Sequence, residues 1–165
     1  TTNASACSTG TEAVIMGFDR IRSGNAERML VGGCDSASPY VWAGFDAMRV
    51  TTRKHNDSPE GGSRPLSSTA SGFVPGGGAG ALVLESLESA LARKAPIYAE
   101  VLGGHSNSGG QRNGGSMTAP NPAGIERCIV KAMETSGVKP TDIDLISGHL
   151  TATIFDPYEV KIWLL

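Results

Sequence analysis

The sequence predicts an α/β protein with a largely parallel, buried sheet, on two observations. Short apolar runs ending in glycine alternate with one-faced helical patterns. Hydrophobic residues make up 39% of the 165 residues while charged ones make up only 18%, below the ~25% of an average globular chain. The alternation gives strands crossed by helices. The low charge leaves much surface neutral or covered.

Each element has its own signal. From Thr9 to Arg22, Ala13, Gly17 and Ile21 recur with Val14 and Phe18 at helical spacing, and Ser23-Gly24 stops the run. Arg28 to Cys34 is an apolar run closed by glycines, which reads as a buried strand. Residues 51–72 form a long polar connection of the kind that is functional or disordered. Gly80 to Glu85 reads as a second buried strand, Leu87 to Lys94 as a helix and Ile97 to Leu102 as a strand, before a Gly/Ser/Asn-rich loop over Gly103 to Gly115. A helix from about Ala123 ends at Ser136, with Gly137 placed to close it and Lys131 near its negative end. Asp142 to Ser147 then leads, as a strand, to Gly148-His149 at its C-terminal edge. Asp156-Pro157 opens a last helix, with Asp156 as cap acceptor and Glu159 in the first turn.

The ends read as those of a longer polypeptide. The chain opens at Thr1 with a segment, Asn3 to Cys7, that looks like the end of a buried strand, and it stops at the uncapped apolar Trp163-Leu164-Leu165. The alternative is a docked C-terminal helix.

A net charge of -2 without a basic block gives no footprint for nucleic acid. Without an ~18-residue apolar run no membrane span is expected, and the expected setting is soluble and cytoplasmic. Three widely spaced cysteines, Cys7, Cys34 and Cys128, indicate free thiols rather than a disulfide framework or a zinc site, and no other metal spacing is present.

Two residues stand where such folds gather chemistry, at strand ends and helix starts. Cys7 precedes the first turn of the Thr9–Arg22 helix, where unpaired N–H groups favour a thiolate, the form that attacks a thioester. His149 sits at a strand edge, followed by Thr151 and Thr153, whose hydroxyls can bind a ligand. The competing reading of both is a packed structural side chain. His55 and His105 fall in polar loops facing solvent, and Cys34 and Cys128 fall within strand and helix patterns that suggest core packing. Pro75-Gly76-Gly77-Gly78-Ala79-Gly80 lacks the Lys-Ser/Thr ending of a phosphate loop and reads as a tight turn.

The segment Asn3-Ala4-Ser5-Ala6-Cys7-Ser8-Thr9-Gly10 resembles the nucleophile segment of the β-ketoacyl-[acyl-carrier-protein] synthases. The likeness continues in that family's order through Val31-Gly32-Gly33, Ala43-Gly44-Phe45, Ser63-Arg64-Pro65, Gly72-Phe73-Val74, Gly78-Ala79-Gly80, Ile97 to Glu100, Met117-Thr118-Ala119-Pro120 and Asp142-Ile143-Asp144. It implies a thiolase-like, layered α/β/α fold, seen in part. Residues 1–102 then hold the end of the first half and the start of the second, and residues 103–165 continue the second.

The resemblance also implies a reaction. Cys7 takes an acyl chain as a thioester, and His149 helps stabilise the enolate left when a malonyl carrier loses CO2. Thr118, Thr151 and Thr153 match positions that contact the pantetheine arm. Phe45 and Phe73 match aromatics at the acyl pocket, and Arg49 matches a basic residue facing the acyl carrier protein. No cofactor is implied, since phosphopantetheine belongs to the carried substrate, and a homodimer paired through the Asn3–Cys7 strand is implied. The chain departs from the family at His149-Leu150-Thr151-Ala152-Thr153, where the family reads His-Gly-Thr-Ser-Thr, and no second catalytic histidine motif follows. The alternative function is an inactive fragment or a non-catalytic specificity or structural subunit; a Cys/His thioester hydrolase is a third.

Overall fold

The computed structural model describes residues 1–109, 116–119 and 121–164. Positions 110–115 of the expected Gly103–Gly115 loop, Pro120 of the Met117–Pro120 motif and Leu165 lie outside the described residues. The chain divides into two compact units. The first comprises Thr1–Cys34, Ala79–Asn107 and Cys128–Asp142; the second comprises Asp35–Gly78, Ser108–Arg127 and Ile143–Leu165.

In the first unit, a 3-10 turn at Ala6–Ser8 leads into α1 (Thr9–Arg22), followed by β1 (Arg28–Asp35). Both α1 boundaries are those the apolar spacing predicts. β1 pairs with β2 (Gly78–Glu85), which runs into α3 (Leu87–Ala92), capped by the Ser86 hydroxyl on the Ser89 N–H. The ladder is antiparallel, because Arg28 meets Glu85 at one end while Gly32 lies against Gly80 and Ala81 further along.

Gly17 lets α1 approach this sheet. A Cβ there would stand 2.5 Å from Val31 Cγ1 and 3.1 Å from Leu84 Cδ1. Val31 is buried under this contact, and Ala90 of α3 is buried too. The strands are nevertheless not buried on both faces as expected: Leu30 is 74% exposed and Val83 63%. The physical reason is that α1 covers only the side of the ladder that carries Val31 and Leu84.

The expected strands at Asn3–Cys7, Ile97–Leu102 and Asp142–Ser147 do not form among the described residues. A strand exists only where a neighbour completes its hydrogen-bond ladder, and the described pairings are the β1–β2 ladder and a Thr51–Phe73 bridge. Apolarity alone leaves Tyr98 96% and Leu145 86% exposed in irregular backbone.

One carboxylate ties the open edge of this unit together. Glu85, at the end of β2, accepts from the guanidinium groups of Arg28 and Arg93 and from the Ser89 hydroxyl. Arg93 and Ser89 lead in holding its carboxyl down to about 2. Because the folded value lies below the ordinary 4.5, the stabilisation is complete above about pH 4.5 and is lost as pH falls through about 2. Urea titrations at neutral pH and near pH 3 should show the wild-type midpoint falling on acidification, with a shallower fall in Glu85→Gln.

The C-terminal part of α4 (Pro122–Ser136) also belongs to the first unit, and Gly137 closes it at a φ of 70°. Lys131 pairs with Glu134, one turn short of the helix end where the sequence places its charge.

In the second unit, α2 (Pro39–Ala47) starts at Ser38, whose hydroxyl accepts from Val41 N, with Pro39 at the first helical position. The polar connection after it is pinned rather than loose. Thr51 bridges to Phe73, and Thr52 Oγ1 meets Ser71 Oγ at 2.6 Å. Asp46 receives Thr51 Oγ1 and the Arg53 guanidinium, and Arg53 is the main reason its carboxyl is held below the usual range. The unit ends in α5 (Asp156–Trp163).

Candidate active site

Cys7 is exposed in the 3-10 turn that feeds α1. The turn is made by side chains where no strand ladder holds it. Ser5 N–H donates to Thr9 Oγ1 at 2.9 Å, Thr9 Oγ1 donates to Ala6 O at 2.7 Å, and Ser5 Oγ donates to Glu12 at 2.6 Å. Ala6 takes a φ of 54°, a left-handed conformation that disfavours any residue with a Cβ. The strained residue immediately before the cysteine turns the backbone so that its side chain leaves the helix start toward solvent.

His149 is exposed too, in irregular backbone rather than on the expected strand. What holds it is α5. Glu159 accepts the His149 and Leu150 N–H groups at 2.7 and 3.1 Å, while Asp156 accepts those of Thr151 and Ala152, both at 3.0 Å, and that of Leu66 at 3.4 Å. Asp156 is only 3% exposed. The expected cap of α5 by Asp156 is not made; the helix instead starts after Phe155 without a side-chain cap, because the Asp156 oxygens are committed to the preceding loop.

These carboxylates hold an unusual backbone. Leu150 has a φ of 34° and Ala152 one of 60°, so two of four successive residues are left-handed without being glycine. Leu150 stands where the resembled family has glycine, and the structure therefore turns the sequence departure into local strain. Four N–H groups aimed at two carboxylates offset it. Thr151 and Thr153 are half-buried with their hydroxyls 3.1 Å apart.

The same unit connects this loop to the two phenylalanines. Gly72 N–H donates to Ala152 O at 2.9 Å, and Phe73 follows directly. The Phe45 and Phe73 rings meet edge to face with centroids 4.8 Å apart. Thr118 is half-buried in a bend closed by Ala119 N–H on Ser116 O.

Arg49 occupies the position after the end of α2 with a φ of 56°. Its N–H donates to Asp46 O at 2.9 Å and that of Val50 to Phe45 O at 3.4 Å, the pattern that usually selects glycine. An exposed arginine stands there instead. Its left-handed backbone costs about 1 kcal/mol relative to glycine.

Thus His149, Thr118, Thr151, Thr153, Phe45, Phe73 and Arg49 all belong to the second unit and Cys7 to the first. Sequence reasoning missed Asp156 and Glu159 as anchors of the histidine loop; their i, i+3 spacing on a helix start following His149 was the available signal. It also missed the holding roles of Thr9 and Glu12, in the first turn of α1. Three secondary expectations are corrected. Cys34 is exposed because it lies at the uncovered end of β1. His55 and His105 are half-buried, and His55 Nε2 is buried without a hydrogen-bond partner among the described residues. Cys128 is half-buried as expected, with its Sγ donating to His105 O at 3.2 Å, and burial pushes its thiol up.

The partial α/β fold is thiolase-like, with Cys7 exposed on a strained turn before α1 in the first unit and His149 on a loop clamped by α5 in the second. Comparison with known proteins narrows the class. The β-ketoacyl synthase N-terminal domain matches residues 1–90 and the C-terminal domain of the same family matches residues 98–163. The chain belongs to the β-ketoacyl synthase family. A 3-oxoacyl-[acyl-carrier-protein] synthase 2 from Rhizobium meliloti is 42% identical over 158 residues, covering 94% of this chain and 37% of the relative. The crystal structure of a β-ketoacyl synthase from Burkholderia phymatum superposes with a TM-score of 0.88 at 33% identity, over 96% of this chain and 38% of that one. A type II PKS ketosynthase structure, in complex with its acyl-carrier protein and bound to a hexaketide, gives 0.85 at 28% identity, again over 96% and 38%. The chain therefore spans well under half the length of these relatives. No helix among the described residues is long and apolar enough to cross a membrane.

Proposed function

We propose that this chain provides the acyl-accepting and carrier-binding part of a β-ketoacyl-[acyl-carrier-protein] synthase acting in fatty-acid or polyketide elongation. The observation that carries the proposal is the exposed Cys7 on its strained turn at the start of α1, in a chain of that family. The Cys7 thiolate attacks the carbonyl of an acyl thioester; the tetrahedral oxyanion collapses, the acyl–sulfur bond to the carrier breaks, and the pantetheine thiol leaves with a proton. The malonyl carrier then loses CO2. His149, as an N–H donor, stabilises the enolate that remains, and its carbanion displaces Cys7 from the acyl group to form the β-ketoacyl carrier.

The other residues serve binding. Thr118, Thr151 and Thr153 present hydroxyls to the pantetheine arm, and the Phe45–Phe73 pair offers an aromatic wall to the acyl chain. Arg49 presents its charge to the acidic acyl carrier protein, a role supported by the backbone strain accepted to place an arginine there. The neighbour solved with its acyl-carrier protein supports the partner. A homodimer, a cytoplasmic setting and a reaction without a bound cofactor complete the proposal. In the native protein that carries this chain, His149→Ala should leave acyl transfer to Cys7 intact and slow CO2 release from the malonyl carrier by about 10²-fold or more. Undiminished CO2 release would remove His149 from the mechanism. If Cys7 accepts no acyl group at all, the non-catalytic subunit reading takes its place.

A further inference from the structure

The Cys7 turn is held from one direction, by side chains of α1. Glu12 receives hydrogen bonds from both flanks of the cysteine: Ser5 Oγ at 2.6 Å and Asn3 Nδ2 at 3.3 Å on one side, Ser8 Oγ at 3.2 Å on the other. Thr9 works alongside it. Its hydroxyl accepts the Ser5 N–H and donates to the Ala6 carbonyl, which brackets the left-handed Ala6, and its own carbonyl accepts from Asn3 Nδ2 at 3.1 Å. Among the described residues the donors to Glu12 are all neutral, two hydroxyls and an amide, and none is a cation.

We propose that Glu12 and Thr9 are the positioning residues of the Cys7 turn: together they fix both flanks of the cysteine, and with them the direction in which it leaves the helix start. The proposal rests on the reading of Cys7 as the acyl acceptor and says how that acceptor is held. The Ser5 hydroxyl, ahead of burial, which acts the other way, holds the Glu12 carboxyl below its usual range, so Glu12 is a charged acceptor for these donors near neutral pH and its hydrogen bonds are of the stronger, charge-assisted kind.

Alkylation by iodoacetamide tests this on the intact chain, with the Cys7 peptide read by mass so that Cys34 and Cys128 are counted separately. Glu12→Gln removes the charge with almost no change of shape. It weakens the bonds from Ser5, Asn3 and Ser8, so amide hydrogen exchange over residues 4–8 should quicken about three-fold or more and the Cys7 alkylation rate at neutral pH should change about two-fold or more, while Cys34 and Cys128 react as before. Thr9→Val removes the clamping hydroxyl without a charge change. There, amide hydrogen exchange over residues 4–8 should quicken about ten-fold while β1 and β2 exchange as before. Unchanged 4–8 exchange and Cys7 alkylation in Glu12→Gln, or unchanged 4–8 exchange in Thr9→Val, would overturn the proposal; circular dichroism confirms that each variant compared is folded, and either variant is decisive without the other. Acyl transfer from an acyl carrier thioester, measured on the same wild-type sample, is a separate axis. Failure there removes the enzyme reading, whereas the alkylation and exchange data still decide the clamp.

Discussion

Asp156→Ala is expected to lower the unfolding free energy by about 3–5 kcal/mol and to loosen the histidine loop. The magnitude follows from what the side chain does. Asp156 is 3% exposed, and its two oxygens accept three backbone N–H groups, from Leu66, Thr151 and Ala152. Charge-assisted bonds of this type contribute about 1.5–3 kcal/mol each, and truncation leaves the donors without the acceptor they face. The loop they hold contains Leu150 and Ala152 in left-handed backbone, so its alternative, once released, is a more relaxed conformation in which His149 is no longer directed by its neighbours. Asp156→Asn keeps one acceptor oxygen and should lose roughly half as much. Urea denaturation of the three proteins checks the order; a loss below ~1 kcal/mol in the alanine variant would show that the loop does not depend on this carboxylate.

Gly32→Ala should be comparably damaging, by about 3 kcal/mol or more, because the added atom meets main chain and not a side chain that can rotate away. A Cβ on Gly32 would stand 2.1 Å from the Gly80 carbonyl oxygen and 2.9 Å from Ala81 Cα. One of the two strands must then shift. The consequence reaches the site, since the next residue, Gly33, packs with its Cβ direction 3.3 Å from Gly10 Cα in the first turn of α1. Gly80→Ala is the internal control. It lies in the same ladder with nothing within 4 Å of the new atom, and its loss should stay below about 1 kcal/mol. Equal urea midpoints for the two variants would contradict the packing described for β1 and β2.

How far the sequence could be read depended on whether a feature was local. α1 was legible to the residue because its apolar spacing lies within it and its Ser23-Gly24 stop directly after it. The same holds for α4 and its closing glycine. Ser38-Pro39 carried an equally local signal for α2, which the apolar pattern of that short helix did not reinforce. Strands were less legible, because pairing is decided by a distant partner. Gly78 to Glu85 found one in β1, whereas Ile97 to Leu102, just as apolar, is left in irregular backbone. At the candidate site, the ordered family motifs pointed to Cys7 and His149. The residues that hold them were not legible in the same way: Asp156 and Glu159 read as helix-start acids and Glu12 carried no signal of its own, and only the folded chain shows that they turn back onto the preceding loops. Left-handed Ala6, Leu150 and Ala152 were equally hidden, since nothing in an alanine or a leucine announces a positive φ.

All of this turns on one thiol. Incubating the chain with a fatty acyl-carrier thioester and mapping the digest by mass should show the acyl group on the peptide bearing Cys7, with none on those bearing Cys34 or Cys128 and none at all in Cys7→Ala. An acyl-free Cys7 peptide, under conditions that load a known β-ketoacyl synthase, would contradict the assignment.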